Sequence, residues 1–246
     1  TQPGRSLVVT SDVLVDGVHF SEQTTKPEDA GWRAVAANLS DLAAMGATPL
    51  AITVGLAMPG SVSVDWVEQL YRGMVECLDR YQCAIAGGDV VRSPVTTLAI
   101  TALGEVEPTR IIRRAAAQPG DAIVVTGFHG SSRAGLELLL HPDHPWDLPE
   151  ADRNCLIQAH QRPKPRLDVL PLLWKCLDES EDFSSISAQK SFPVAGMDSS
   201  DGLADAILQI CRSSGIGARI NRDRIPIAPA LTRWQSIDQA LQWGLY

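Results

Sequence analysis

Residues 32–47 read WRAVAANLSDLAAMGA, and this stretch gives the clearest indication of the fold. Its apolar side chains recur at intervals of three and four residues, which is the period of one helix face. They are Trp32, Val35, Ala36, Leu39, Leu42 and Ala43, and Gly46 follows as a helix-ending residue. We therefore predict an amphipathic helix from Trp32 to Gly46, with Asp41 about 180° from Trp32 and so away from the core-facing stripe.

The segments around this helix alternate between strand and helix patterns. Runs typical of strands lie at 7–9, 13–19, 51–56, 83–86 and 96–103, and a second helix is predicted for 64–81. Such alternation favours an α/β sheet domain. An arginine- and alanine-rich segment with a Pro-Gly turn marks a boundary near residues 108–118, so we expect one domain at 1–110 and another at 111–246.

The second half shows a similar alternation. Strands are predicted for Ala122–Thr126 and Phe192–Met197, and helices for 130–140, 150–161, 166–177 and the segment around 203–210. The polar, serine-rich stretch 178–191 has no periodicity and is predicted to be a loop. The chain is therefore expected to hold two α/β units.

Composition excludes several classes of protein. The 246 residues are 45% hydrophobic and 20% charged, which is typical of a folded globular chain. No apolar run reaches the roughly 18 residues of a membrane span, and a net charge of -8 without a basic cluster argues against nucleic acid as a partner. Five scattered cysteines without a C-x-x-C pair indicate reduced thiols, and a cytoplasmic location is expected.

Five aspartates stand in polar or glycine-rich company where strands and helices are predicted to end. They are Asp12, Asp41, Asp89, Asp198 and Asp201. Mg²⁺ prefers hard oxygen ligands and needs only one or two carboxylates when substrate phosphates complete its shell. Each aspartate alone also has a structural explanation, such as a solvated helix face, a turn or a helix N-cap. Their repetition favours a site that holds more than one Mg²⁺ ion.

A phosphate site in this chain must differ from the common nucleotide-binding loops. The sequence contains neither G-x-x-x-x-G-K-[ST] nor G-x-G-x-x-G. The helix predicted to begin near Ser200 offers free N–H groups to a phosphate. Arg113 and Arg114 are either partners for phosphate oxygens or simply exposed side chains. His19 is close in sequence to the first of the aspartates and is either a ligand-binding or a structural residue.

Four segments together resemble the thiamine-monophosphate kinase family. They are TSDVLVDGVHF at 10–20, NLSDLAAMGA at 38–47, GGD at 87–89 and DSSDGL at 198–203. The segments 113–121, 125–127 and 160–166 also fit. Order and spacing agree over nearly the whole chain. The second segment is long and specific, whereas GGD alone is a weak signal.

The resemblance implies a two-domain α/β fold like that of aminoimidazole ribonucleotide synthetase, with the N-terminal domain pairing its sheet across a homodimer. It implies transfer of the γ-phosphoryl group of ATP to thiamine monophosphate, with ATP bound between subunits and domains and several Mg²⁺ ions present. The implied metal ligands are Thr10, Ser11, Asp12, Asp41, Asp89, Asp198 and Asp201, of which Asp41, Asp89 and Asp198 are the implied catalytic residues. Tyr71, Gly88, Asp89, Arg114 and Ser200 are implied to contact ATP, and His19 the thiamine substrate.

The chain also departs from the family pattern. A Gly-Asp-Asp motif before the first strand and a Gly-Gly-Glu-Asp-Tyr-Glu-Leu motif after Tyr246 are absent, so we expect a piece truncated at both ends. One rival is another ATP-using enzyme of the same superfamily, such as aminoimidazole ribonucleotide or selenophosphate synthetase. A second rival is a non-catalytic dimeric scaffold. The 38–47 segment argues against the first rival, and the retained aspartates argue against the second.

Overall fold

The computed structural model describes residues 1–179 and 194–246. Its first half contains β1 (Ser6–Val15), α1 (Pro27–Ala44), β2 (Thr48–Met58), α2 (Val64–Arg80), β3 (Ala84–Arg92) and β4 (Thr97–Val106). Its second half contains α3 (Ser131–Leu140), α4 (Glu150–Gln161), α5 (Leu170–Asp178), α6 (Leu203–Ser214), α7 (Pro229–Trp234) and α8 (Ile237–Leu245). The predicted α/β class is confirmed. None of the helices in these two ranges is long and apolar enough to cross a membrane.

The four strands form one mixed sheet in the order β1-β4-β2-β3. β4 runs antiparallel to β1 and β2, whereas β2 and β3 are parallel. A parallel pair requires a crossover, and α2 provides it between β2 and β3. Side chains alternate along each strand, so Ile52, Val54 and Leu56 of β2 are buried on the face that α1 and α2 cover.

Helix α1 follows the predicted pattern. Trp32, Val35, Leu39 and Leu42 are buried in the core of the first half. The helix begins five residues before the predicted start, at Pro27, because proline suits the first helical position and the acidic residues of its first turn favour a helix N-terminus. The amphipathic pattern therefore located the helix but not its beginning.

The other face of the sheet is exposed and apolar at its β1 edge. Leu7, Val9 and Val13 of β1 are 56%, 55% and 48% exposed, and Val91 of β3 is 51% exposed. Along β1 these exposed residues alternate with more buried ones, as expected for one face of a strand. The described part of the chain leaves this face without a covering helix.

One strand prediction in the second half is wrong, and another is wrong for the four of its residues that the structure describes. Residues 122–126 form no strand, and Val124 is 81% exposed, because the described residues offer no neighbouring strand beyond one bridge between His129 and Ile227. Residues 194–197 of the predicted strand Phe192–Met197 are also irregular. Phe192, Pro193 and residues 180–191 of the predicted loop lie outside the described residues.

The segment 161–163 joins the second half to the first. Arg162 donates to Asp29 at the start of α1 at 2.5 Å and to Glu76 of α2 at 2.7 Å. The indole of Trp32 donates to the carbonyl oxygen of Pro163 at 2.9 Å. Gln161 donates to the carbonyl oxygen of Thr24 at 2.8 Å. These contacts fix how the second half sits against α1.

Candidate functional site

Strand β1 and helix α1 bring the first two aspartates together. The hydroxyl of Thr10 donates to Asp41 Oδ2 at 2.5 Å, which ties the last turn of α1 to the strand. Asn38, fully buried one turn earlier, accepts from the backbone N–H of Asp12 at 3.1 Å and donates to the carbonyl oxygen of Ala34 at 2.9 Å. Because β1 lies at the edge of the sheet, this N–H has no strand to bond on that side, and the side chain of Asn38 replaces one.

The prediction that the aspartates stand where elements end is wrong for two of them. Asp12 lies within β1, and β3 runs from Ala84 to Arg92 through the Gly-Gly-Asp segment, so Asp89 is also within a strand. Gly88 suits this position because a Cβ there would lie 2.0 Å from the carbonyl oxygen of Val54. The glycine is thus explained by close contact of two strands rather than by a turn.

The loop before α6 supplies the other two aspartates. Asp198 and Asp201 flank Ser199 and Ser200 directly before the helix. The hydroxyl of Ser199 forms a 2.7 Å hydrogen bond with Nε2 of His129, which anchors the loop from behind. Burial lowers the pKa of His129, so this ring is neutral near pH 7 and serves as a hydrogen-bonding support.

Gly202 shapes the start of α6. Its backbone has φ of 104° and ψ of 154°, a conformation that residues with a side chain rarely adopt. A Cβ at this position would also lie 2.6 Å from the carbonyl oxygen of Leu245. Glycine is therefore required where the aspartate loop turns into the helix.

These elements enclose one acidic cleft of about 240 Å³. Asp12 and Asp41 line it from the first half of the chain, and Asp198 and Asp201 line it from the second. Burial raises the pKa of Asp12, and the charges of Asp41 and Asp201 raise it further. The pKa of Asp198 is raised by burial first and then by Asp41. Four of the five predicted aspartates therefore share one electrostatic environment, which is unfavourable for anions until cations enter it.

Arg114 contributes a positive charge at this cleft. It lies in a 3-10 turn, Arg114–Ala116, and is among the residues that line the cleft. Its NH1 donates to Oε1 of Gln209 on α6 at 3.0 Å. Arg113, the other candidate arginine, is exposed and not among the lining residues. Ser200, predicted to contact ATP, does line the cleft.

Asp89 does not join the other four aspartates within one chain. One row of paired residues crosses the four strands of the sheet, and it consists of Asp89, Gly55, Ala99 and Val13. Asp12 lies at the opposite edge of the sheet, three strand spacings or about 14 Å away. Asp89 is exposed, and its carboxylate accepts only from the backbone N–H of Val90 among the described residues, at 2.9 Å.

Two further predicted residues lie apart from the cleft. Tyr71 packs, partly buried, against the core of the first half and is not a lining residue. The hydroxyl of Ser11 bonds to Thr101 Oγ1 and to the carbonyl oxygen of Ile100, both at 3.1 Å. Because side chains alternate along β1, this hydroxyl lies on the opposite face from those of Thr10 and Asp12. One chain therefore does not bring it into the cleft.

His19 is held in a turn that follows β1. Its Nδ1 accepts from the backbone N–H of Val15 at 3.0 Å. Since that N–H can only donate, the neutral ring carries its proton on Nε2, which is left to donate outward from an exposed side chain. His19 is also close enough for its charge to act on Asp12, so it stands beside the cleft.

Four residues of the site were missed in the sequence. They are Asn38, His129, Asp205 and Gln209. Asn38 precedes Asp41 by one helical turn within the quoted segment, and Asp205 precedes Gln209 by four residues, so both pairs have the spacing of helix neighbours. His129 had no such signal, because its contact with Ser199 spans 70 residues.

The donor set of the cleft fits Mg²⁺. It combines carboxylates and hydroxyls, which are hard oxygen ligands. The pKa values of Asp12 and Asp198 are raised first by burial and then by the neighbouring carboxylates, and a bound cation would offset both effects. Among the described residues no three acidic, histidine or cysteine side chains stand close enough together to hold one ion by themselves. An ion here would keep waters or take oxygens from a bound phosphate, which is the usual habit of Mg²⁺.

The chain is similar to proteins of known family. Residues 1–106 match the family model for AIR synthase related protein, N-terminal domain. The chain is 54% identical to thiamine-monophosphate kinase of Synechococcus elongatus over 241 residues. The matched region covers 98% of this chain and 70% of that protein. Thiamine-monophosphate kinase from Stenotrophomonas maltophilia K279a has a TM-score of 0.83 at 34% identity, covering 100% of this chain and 72% of that one. AaThiL complexed with AMPPCP and TMP also gives 0.83, at 30% identity, with 100% and 73% covered.

Proposed function

Because the chain belongs to the thiamine-monophosphate kinase family, we propose that it transfers the γ-phosphoryl group of ATP to thiamine monophosphate, giving thiamine diphosphate and ADP. The observation that carries this proposal is the acidic cleft, where Asp12, Asp41, Asp198 and Asp201 meet beside Arg114. Phosphoryl transfer requires mainly positioning and neutralisation of charge. A carboxylate-lined cleft with one arginine supplies both once cations are present.

We infer that the cleft residues hold Mg²⁺ ions and the nucleotide phosphates together. Thr10, Asp12, Asp41, Asp198 and Asp201 are the proposed metal ligands, and Arg114 and Ser200 the proposed phosphate contacts. Bound Mg²⁺ would neutralise the phosphates and stabilise the charge that develops during transfer. The guanidinium of Arg114 can donate to phosphate oxygens, and Gly202 and Asp205 at the start of α6 line the same cleft, where a helix N-terminus favours a phosphate.

The acceptor needs no strong general base, since its attacking phosphate oxygen is already anionic. The side chains beside the cleft therefore act by orientation. We assign His19 to the thiamine monophosphate substrate, because its Nε2–H is free to donate and the ring stands next to Asp12. This places the acceptor on the β1 side and the nucleotide on the Arg114 side of the cleft.

We further propose that two chains pair through the exposed face of the sheet. Leu7, Val9 and Val13 form an apolar surface there, which solvent exposure disfavours. Asp89 lies in the same row as Val13, so pairing would place Asp89 and the neighbouring Gly88 at the subunit boundary. There they would serve a nucleotide bound between subunits. Sedimentation should show a dimer for the wild type and a monomer for Val9→Asp, and a monomeric wild type would contradict the pairing.

Two coarser features complete the proposal. We propose a domain boundary near residue 110, supported by the two separate hydrophobic clusters, one built from β1 to β4 with α1 and α2, the other from α3, α4, α7 and α8. We also propose a cytoplasmic location, supported by five cysteines that are all free thiols.

Phosphoryl transfer from labelled ATP to thiamine monophosphate tests the function. With Mg²⁺, the full-length wild-type protein should form labelled thiamine diphosphate, and Asp41→Asn should lower the rate more than about a hundredfold. Asp79→Asn, an exposed aspartate on α2, is the matched control and should keep the wild-type rate. No label on thiamine diphosphate with folded wild-type protein, or equal rates in all three, would contradict the proposal.

A further inference from the structure

Helix α6 carries a polar pair that touches the cleft arginine. Asp205 and Gln209 are four residues apart, so they lie on the same face of the helix one turn apart. Nε2 of Gln209 donates to the carboxylate of Asp205, and Oε1 of Gln209 accepts from NH1 of Arg114 at 3.0 Å. Both helix residues line the cleft together with Arg114.

The chemistry of the three side chains allows this arrangement in one direction only. A carboxylate can only accept, a guanidinium can only donate, and a primary amide does both from opposite ends. Asp205 therefore turns the amide so that its oxygen points at Arg114. If the amide were reversed, two donors would face each other at one end and two acceptors at the other.

A second set of bonds fixes the backbone of the same arginine. The hydroxyl of Ser214, at the end of α6, donates to the carbonyl oxygen of Arg114 at 2.7 Å and accepts from the backbone N–H of Ala117 at 3.2 Å. Helix α6 therefore holds both the main chain and the side chain of Arg114. A surface arginine without a role would not require hydrogen bonds to both its guanidinium and its main chain.

The amide also preserves the charge of Arg114. The cleft offers several carboxylates with which a free guanidinium would pair, and such a pair would neutralise it. The neutral amide of Gln209 occupies one N–H group of Arg114. The positive charge of the guanidinium is not compensated by this contact, and its remaining N–H groups are available to an anion. The carboxylate of Asp205 accepts a hydrogen bond from Gln209. Asp205 therefore orients this amide, whereas Asp12, Asp41, Asp198 and Asp201 are the proposed metal ligands.

We propose that Gln209, oriented by Asp205, is a positioning residue that holds Arg114 in place for the phosphates of the nucleotide. This inference rests on the proposed function, since it assumes that a Mg²⁺–nucleotide occupies the cleft. Gln209 acts on the nucleotide only through Arg114. Its effect must therefore disappear when Arg114 is absent.

A double-mutant cycle on the full-length protein tests this dependence. Affinity for Mg²⁺–AMPPCP is measured by calorimetry in wild type, Gln209→Met, Arg114→Ala and the double variant. Gln209→Met keeps the side-chain length but loses both hydrogen bonds, and we expect about tenfold weaker binding. In the Arg114→Ala background the same change should add less than about twofold. Asp205→Ala should weaken binding about threefold, again only when Arg114 is present.

Arg212→Gln is the matched control, because Arg212 is an exposed arginine on the same helix. The substitution removes one positive charge that takes no part in the contacts of Asp205, Gln209 and Arg114. It should leave nucleotide affinity within about twofold of wild type. Thermal unfolding of each variant checks that α6 remains folded. If wild type fails to bind Mg²⁺–AMPPCP, the proposed function falls and this inference with it. This inference alone is overturned if wild type binds Mg²⁺–AMPPCP and both Gln209→Met and Asp205→Ala bind it with wild-type affinity. It is also overturned if Gln209→Met weakens binding as much in the Arg114→Ala background as it does when Arg114 is present.

Discussion

The two ends of α1 face opposite electrostatic environments. At its N-terminal end, Asp29 pairs with Arg162, and Arg33 donates to a nitrogen of His160 at 3.0 Å. At its C-terminal end, Asp41 faces Asp12 and the other cleft aspartates, and its carboxylate accepts a hydrogen bond from the neutral hydroxyl of Thr10. The N-terminal end of α1 therefore pairs opposite charges, whereas the C-terminal end brings negative charges together.

This difference separates stability from function along one helix. The paired end joins the two halves of the chain, and its contacts lower the energy of the folded state. The acidic end costs folding free energy, because burial and like charges raise the pKa values of Asp12 and Asp198. Under the proposed function, cations bound in the cleft offset this cost. Substitutions at the first end should therefore destabilise, and neutralising substitutions at the second should stabilise while they remove function.

The largest effect is expected from Arg162→Met, which breaks the paired end. Asp29 is buried, and losing its partner leaves an uncompensated charge, so we expect a loss of about 4 kcal/mol in the free energy of unfolding. Chemical denaturation measures it. Arg72→Met is the control, because Arg72 forms an exposed pair with Glu28 and should cost less than about 1 kcal/mol. Equal losses in the two variants would contradict the role of the paired end.

The next effect is a pH dependence that belongs to His160. Burial, and then the charge of Arg33, lower its pKa to about 4. Because Arg33 can only donate, Nε2 accepts, and Nδ1 donates to Ser132 Oγ at 3.2 Å. The unfolded chain takes up a proton near pH 6.5 while the folded chain does not, so stability is present above that pH and is lost as pH falls toward about 4.

Measuring the free energy of unfolding from about pH 7 to about pH 4 should therefore show wild type losing about 3 kcal/mol more than His160→Gln. Glutamine keeps an acceptor for Arg33 but does not titrate. Parallel pH profiles for the two proteins would show that His160 is not held neutral at the junction. The change should leave the cleft unaltered, so activity at neutral pH serves as the check on that point.

A smaller effect is expected from Gly202→Ala at the acidic end. The alanine side chain would meet the carbonyl oxygen of Leu245 in a backbone conformation that suits glycine, so we expect about 2 kcal/mol of destabilisation. The displaced loop should also lower Mg²⁺–nucleotide affinity. Gly215→Ala, at the other end of α6 with open space around it, is the control for backbone strain without a clash. If both variants bind nucleotide alike, the loop before α6 does not position the site.

The sequence predicted this molecule best where local periodicity decides the structure. Helix α1 and the placement of Asp41 off its buried stripe followed from a repeat of three and four residues. The predicted strand Ala122–Thr126 and residues 194–197 of the predicted strand Phe192–Met197 are not strands in the structure, because local sequence does not decide strand formation. A strand depends on a partner that local sequence does not reveal, and the described residues offer 122–126 none.

The site was predicted by residue type more than by arrangement. Listing five aspartates identified the four that meet in the cleft, but it could not tell that Asp89 lies across the sheet, since this depends on strand order. Asn38 and Gln209 were missed because they support other side chains rather than bind ligands themselves. Their helical spacing to Asp41 and Asp205 was the available signal.

The most direct test of this account compares the free energy of unfolding of wild type and Asp198→Asn, each with and without Mg²⁺–AMPPCP. Without ligand, the variant should be more stable by about 1 kcal/mol, because a half-buried carboxylate that faces like charges is gone. With ligand, wild type should gain stability and the variant should gain little, because binding to the folded state alone stabilises it. A variant that is less stable without ligand, or that gains as much from Mg²⁺–AMPPCP as wild type does, would contradict the claim that the cleft exchanges stability for metal and nucleotide binding.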